Sequence, residues 1–390
     1  MFESIAVIPL IFGALVLVAS LISLKLGLSV AIIEIVLGIV GGQFGLQAQD
    51  WMTYLAGFGG ILLTFLAGTE IDTDLMKENF KASFLIGFFS FLLPFLGVAT
   101  YTYFAARWDL KAALIAGTAL STTSLAVVYS VLVETGLNKT KIGKTIMSCT
   151  FITDIGTALA LSILFIKPNL YTLIFIVVSI LLIFLATKFS HLVFDHPALK
   201  NKVVEPEIKY LFVLLLIFMY FANIGNGQAV LPAFVLGLLL SKHFKETSGT
   251  KVVQTRLRTV AYAIITPAFF IVGGMRVSIP LIATALGLFF ILFFMKLITK
   301  FVGVFFFARK YIPQGAMYTT LLMSTGLTFG TIASVFGLTS GIINQIQYSI
   351  LIGVVILSAI IPTFIAQKWF MPVHSEDIVE PNGNGTEANG

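Results

Sequence analysis

Apolar residues fill long, nearly unbroken runs along this chain, and polar residues gather in short stretches between them. Neither the half-polar faces of surface helices nor the alternation of half-buried strands fits that pattern. A run of about 20 apolar residues crosses roughly 30 Å of hydrocarbon as a helix. By that measure the sequence predicts thirteen spans, near 5–24, 29–46, 52–70, 82–105, 112–133, 145–166, 169–187, 210–226, 228–241, 260–275, 279–307, 315–336 and 345–366. The second and ninth are short and glycine-rich. The first carries Glu3 in place of a basic leader and shows no small-residue cleavage site, so it is expected to remain as a span.

Two stretches between and after the spans are expected to lie outside the membrane. "SKHFKETSGTKVVQTRLRT" reads as a basic connection in contact with anionic lipid. The end of the chain, 367–390, is polar and glycine-rich and is expected to be disordered.

Composition agrees: 58% of the 390 residues are hydrophobic and 11% charged, against about 25% charged in soluble domains. That leaves no room for a separate soluble domain between the spans. With a single cysteine, Cys149, no intrachain disulfide is possible. The net charge of +6 matters through its placement. With the N-terminus outside, eighteen of the 24 Lys and Arg residues fall on the cytoplasmic side, four fall outside, and Lys296 and Lys300 lie within a span. This bias predicts an outside N-terminus and a cytoplasmic C-terminus.

The candidate chemistry begins with Asp154, in the middle of the span "IMSCTFITDIGTALALSILF". An aspartate there costs roughly 2.5–3.5 kcal/mol on insertion scales, so intramembrane carboxylates mark ion paths by default. A structural pairing with a nearby hydroxyl or lysine is the alternative. Span 5 holds consecutive hydroxyls at Ser121, Thr122, Thr123 and Ser124, and span 12 holds Ser324, Thr325, Gly326, Thr328, Gly330 and Thr331. Such clusters let a membrane helix unwind where it faces protein or water, although small residues also permit close helix packing. Spans 5 and 12 are seven apart, and an odd offset reverses direction in the membrane. If spans 1–6 match 8–13 with span 7 as linker, the two interruptions sit in equivalent places of an inverted repeat, the arrangement that points to a midplane transport site.

Lys296 and Lys300 can snorkel or pair with a carboxylate. Glu34 and Glu70 fit a pairing role as well as an ion path, and Gly38, Gly41, Gly42, Gly57, Gly59 and Gly60 fit close helix packing.

In order and spacing, "AIIEIVLGIVGG", "LLTFLAGTEIDTDLMK", "TALSTTSLAVVYSVLVETG", "ITDIGTALALSIL", "TPAFFIVGGMRV", "KFVG" and "STGLTFGTIAS" resemble the sodium/proton and potassium/proton exchangers of the cation:proton antiporter 2 family, over essentially all of 5–366. The resemblance implies an all-α polytopic fold of about thirteen transmembrane helices in two inverted repeats with crossed discontinuous helices. It divides the chain into a first repeat with its linker span (1–187), a cytoplasmic connection (188–209), a second repeat (210–366) and a tail (367–390). It further implies a mobile core domain and a fixed dimerisation domain. Asp154 matches the ion-binding aspartate, Thr122 and Thr123 the unwound crossing and Lys300 the core basic residue. Thr153, in place of a first aspartate, would add a hard oxygen ligand.

The implied activity is exchange of Na+, or of Li+ or K+, for protons by alternating access, with Asp154 holding cation and proton in turn. A homodimer in the plasma membrane is implied, without cofactor, nucleic acid or catalysis. With one mid-depth carboxylate, one proton per cation is expected unless Lys300 also releases its proton. An organic-anion symporter on the same architecture and a channel-like pathway remain rivals. An intramembrane aspartyl protease needs two facing aspartates, and only Asp154 lies at mid-depth.

Overall fold

The computed structural model describes residues 7–26, 29–70, 80–165, 170–194, 196, 199, 202, 204–225, 229–246 and 248–372. The first part of the chain forms α1 (Val7–Leu26), α2 (Val30–Gln43), α3 (Asp50–Thr69), α4 (Phe80–Phe104), α5 (Leu110–Ser121), α6 (Leu125–Glu134), α7 (Lys141–Leu164), α8 (Leu170–Lys188) and the short α9 (Ser190–Phe194). Then follow α10 (Pro206–Ile224), α11 (Val230–Glu246), α12 (Ser248–Val260), α13 (Thr266–Met275), α14 (Ile279–Thr284), α15 (Leu286–Tyr311), α16 (Ala316–Met323), α17 (Thr328–Thr339) and α18 (Gln345–Trp369). Among these residues eleven segments are long and apolar enough to cross a membrane, and the shorter apolar helices Val30–Gln43 and Val230–Ser241 bring the number to thirteen. Those two correspond to the short second and ninth predicted spans.

The close contacts repeat with the symmetry of an inverted repeat. Span 2 packs on span 10: a Cβ on Gly38 of α2 would fall 2.2 Å from the Ile271 carbonyl oxygen, and one on Gly274 of α13 would fall 2.2 Å from that of Ile35. Exchanging the halves turns spans 2 and 10 into 9 and 3. That pair is equally tight, with Gly237 of α11 2.2 Å from the Phe65 oxygen and Gly68 of α3 2.4 Å from the Phe234 oxygen by the same measure. Spans 4 and 11 exchange with each other, and α4 packs directly on α15. Helices approach this closely only where a side chain is missing, which is how membrane helices gain packing energy without a hydrophobic driving force between them.

Three predicted segments are corrected. The span at 279–307 is two helices: the Ser278 side chain caps α14, Pro280 stands in its first turn, and at Ala285 the backbone leaves helical geometry (φ −127°, ψ 31°) before α15 begins. The basic stretch at 241–259 is largely helical, in α11 and α12, and one π-helical turn, Ala261–Ile265, joins α12 to α13. Val253, Leu257 and Ala261 recur every four residues and are fully buried, so an apolar stripe lies under the charges of this connection. In the tail, α18 runs on to Trp369, while the rest of the expected disorder, 373–390, lies outside the described residues.

Candidate functional site

Both predicted interruptions are present. Residues 122–124 separate α5 from α6, with Thr122 extended (φ −67°, ψ 154°), and residues 324–327 separate α16 from α17. Unwinding frees backbone groups that cost several kcal/mol each if left unpaired at membrane depth. The breaks satisfy one another: the Ser124 amide donates to the Thr325 carbonyl at 3.1 Å, and the Thr123 hydroxyl donates to the Met323 carbonyl at 2.9 Å. The Thr123 hydroxyl is therefore a structural donor of the crossing. Two helix C-termini, of α5 and α16, and two N-termini, of α6 and α17, meet there, each carrying about half a unit charge.

Asp154 lies in α7, and α7 packs against all four half-helices. Its side chain is 1% exposed, and Oδ1 has no hydrogen-bond partner. A buried carboxylate oxygen with no donor is costly in a resting fold, and it is what a site that takes up a proton or a cation requires. The hydroxyls of α7 and of the two breaks offer hard oxygen atoms. Thr153 is buried and its hydroxyl donates to the Thr150 carbonyl at 2.7 Å, which leaves its oxygen able to accept. Thr122 donates to the Ala119 carbonyl at 3.1 Å, Ser324 to Thr320 at 2.7 Å, and Thr325 to Leu322 at 2.8 Å. Among the described residues no three His, Cys, Asp or Glu side chains converge on a metal site. A monovalent cation would rest on the single carboxylate and on hydroxyl or carbonyl oxygens.

Lys300 does not snorkel: it is fully buried and donates to the Ser90 and Thr123 hydroxyls, each at 2.9 Å. It reaches the crossing through Thr123 and makes no direct ion pair with Asp154. Lys296 was not singled out from the sequence as a site residue. It too is fully buried, and its Nζ occupies the space beside Gly326, 2.3 Å from where a Cβ would stand, with the Thr122 hydroxyl 3.0 Å from the same point. The available signal was its spacing, one turn before Lys300 on the same face of α15. Ser90, on α4, offered no signal at all.

The other carboxylates resolve differently. Glu70 accepts from Arg258 Nη2 at 2.5 Å, and Gln254 donates to the Thr69 hydroxyl at 3.2 Å, so α12 is tied to the end of α3. Glu34 is buried within α2. Between α3, α10, α11 and α13 on one side and α17 on the other lies a cavity of about 220 Å³, lined by Gly60, Asn223, Arg276, Ile332, Val335 and others.

Crossed half-helices around a buried carboxylate, on an inverted repeat of thirteen spans, define a secondary transporter of the alternating-access class. More narrowly, the family model "Sodium/hydrogen exchanger, transmembrane" matches residues 11–371, and the chain belongs to that family. It is 29% identical over 349 residues to a protein of Methanocaldococcus jannaschii named "Probable Na(+)/H(+) antiporter 3", covering 83% of this chain and 86% of that one. It is 27% identical over 390 residues to the Na(+)/H(+) antiporter of Enterococcus hirae, covering 96% and 100%. Against the Na(+)/H(+)-K(+) antiporter GerN of Bacillus cereus the identity is 25%, covering 87% and 89%. The fold is that of the sodium proton antiporter MjNhaP1 from M. jannaschii, with TM-score 0.68 and 15% identity over 94% of this chain and 99% of that structure.

Proposed function

We propose that the chain exchanges Na+ for protons across a membrane by alternating access, with Asp154 binding cation and proton in turn. The observation that carries this reading is the buried, donor-free Oδ1 of Asp154 on a helix that touches all four half-helices. An ionised carboxylate holding a cation and a protonated carboxyl are both nearly neutral, so both can pass the low-dielectric barrier. The bare carboxylate cannot, because an uncompensated buried charge is too costly, and this forbids uncoupled return. Thr153, Thr122 and Thr123 supply oxygens around the cation, Ser324, Thr325 and Gly326 keep the second helix open, and Lys300 supplies a fixed positive charge. K+ is the second candidate substrate, supported by the likeness to GerN.

The same reading takes 1–187 as the first repeat with its linker span and 210–366 as the second repeat, joined by the connection 188–209 and followed by the tail. It places the N-terminus outside and the C-terminus in the cytoplasm of a plasma-membrane homodimer, with no cofactor and no chemical catalysis. The test is proton flux in proteoliposomes under Na+, Li+ and K+ gradients. Asp154→Asn should abolish exchange while the protein still inserts and folds. Coupled exchange surviving in that variant at near the parent rate would remove Asp154 from the mechanism.

A further inference from the structure

α7 and α8 follow one another in the chain, and each packs on α11. The space left between them is a groove of about 450 Å³, walled by α7 and α8 and floored by Leu231, Pro232 and Val235 of α11. Both walls are segments long and apolar enough to cross a membrane, and Ile163, Ile176 and Ile180 stand exposed along the edges, so the groove opens to hydrocarbon. Of the twelve side chains that line it ten are apolar, and the other two are serines on opposite walls, Ser162 of α7 and Ser179 of α8. Neither hydroxyl has a hydrogen-bond partner: Ser162 Oγ is buried, and Ser179 is 6% exposed with its Oγ buried. A helical serine ordinarily satisfies itself on the carbonyl four residues back, as Ser148, Ser334 and Ser349 do in this chain.

The depths of the two hydroxyls limit what can serve both. Ser162 is two residues from the end of α7, and Ser179 is nine residues from the start of α8. Counted from the end where the chain passes from one helix to the other, at about 1.5 Å per residue, their depths differ by about 10 Å. A single water cannot reach both, and a water on either one lacks the second polar partner it needs in an apolar cavity. A neighbouring helix brings no free acceptor, because its backbone groups are paired within it. The ester carbonyls of a phospholipid lie together at the edge of the hydrocarbon and reach only the shallower serine, and a fatty acid has acceptors at one end alone. What fits is a flat, neutral molecule with an acceptor at each end of a ring and a hydrogen bond of about 2.8 Å beyond each. Phe165 on one wall and Phe175 on the other supply aromatic rings for it to stack on.

Phe165 also ties the groove to the surroundings of the crossing. Its ring stands edge-on to Phe336 of the half-helix α17, 5.5 Å between centroids, and Phe336 lines the cavity of about 220 Å³. Asp154 lies two turns before Leu161, where α7 begins to line the groove. We propose that the groove is a binding site for a lipid-soluble quinone, a ring with two opposed carbonyls and an isoprenoid tail. One carbonyl accepts from Ser179 and the other from Ser162, and the tail leaves along the open edge into the bilayer. No bond of the ring is made or broken. A bound ring touches α7, α8 and α11 together, so it restrains α7 and slows exchange; this second part rests on the alternating-access reading above.

The probe is decylubiquinone, added to the purified chain in detergent. Native mass spectrometry should show one quinone per chain, and the thermal midpoint should rise saturably with its concentration. Ser162→Ala and Ser179→Ala should each weaken binding several-fold, up to about tenfold, the worth of one neutral hydrogen bond. Val235→Phe, which fills the floor of the groove, should abolish it. Removing an orphan hydroxyl costs the fold nothing, so the serine variants should keep the parent's midpoint without ligand, and they carry the test even if Val235→Phe fails to fold. In proteoliposomes the probe should slow Na+-driven proton movement by the parent, and should act on the double serine variant only at correspondingly higher concentration. No saturable binding, binding that both serine variants leave unchanged, or equally serine-dependent binding of palmitoyl-oleoyl phosphatidylethanolamine or oleic acid would overturn the quinone assignment. Binding without any slowing of exchange would overturn the restraint on α7. A parent that shows no Na+-coupled proton movement even without the probe would remove the antiport reading and leave the binding result standing.

Discussion

Thr123 holds two partners at once, accepting from Lys300 and donating to the Met323 carbonyl. Thr123→Val keeps the shape and strips both bonds, leaving a buried ammonium short of an acceptor and a buried carbonyl short of a donor, a loss of about 1–3 kcal/mol per unsatisfied group. The expected result is a clear drop in thermal midpoint in detergent and a larger drop in exchange rate, whereas Thr123→Ser recovers most of both. Gly326 sets the opposite kind of limit. In Gly326→Ala the new methyl would stand 2.3 Å from Lys296 Nζ, so the ammonium must move; initial exchange rates should fall at least tenfold, while overpacking costs stability only about 1–3 kcal/mol. At this scale the sequence was legible where a residue contradicts its surroundings. Asp154 and the hydroxyl runs stand out in an apolar helix, whereas Lys296 read as a side chain that could snorkel or pair with a carboxylate, because what it meets is Gly326, 30 positions away in the break between α16 and α17.

Helix boundaries were legible where a run ended in polar residues and illegible where tertiary packing decided. The breaks in spans 5 and 12 followed from consecutive hydroxyls and glycines, while α12 and the turn after it hid an apolar stripe of Val253, Leu257 and Ala261 among basic residues. Packing between helices gives a controlled comparison. Gly274→Leu on α13 would drive a side chain into the α2 backbone, 2.2 Å from the Ile35 oxygen, whereas Gly13→Leu on α1 meets open space. The first should unfold the protein at markedly lower temperature, and the second should leave the midpoint within a degree or two, as read by fluorescence-detected thermal denaturation. A second prediction concerns the Arg258–Glu70 pair that ties α12 to α3. The pair is partly exposed, so Glu70→Gln should cost little stability, within about 1 kcal/mol, and denaturation at two salt concentrations reads that cost directly.

For the whole molecule, the orientation can be read chemically because the only cysteine, Cys149, is buried. In a Cys149→Ser background, Lys111→Cys should react with a membrane-impermeant maleimide on intact cells, and Lys368→Cys only after permeabilisation. The reverse pattern would invert the topology drawn from the basic residues. The paired glycine contacts reach further, into how the chain is made. α2 closes on α13, α3 on α11 and α4 on α15, and the first broken helix crosses the second, so several helices of each half find close partners in the other half. A ribosome that has delivered only the first seven spans has therefore produced helices whose small-residue faces are bare and whose Asp154 has no crossing to sit beside. Assembly has to wait in the bilayer for the second half. Cutting the gene between codons 195 and 203 should thus yield two fragments, each inserted but easily proteolysed alone, that protect one another and recover exchange only when synthesised in the same membrane.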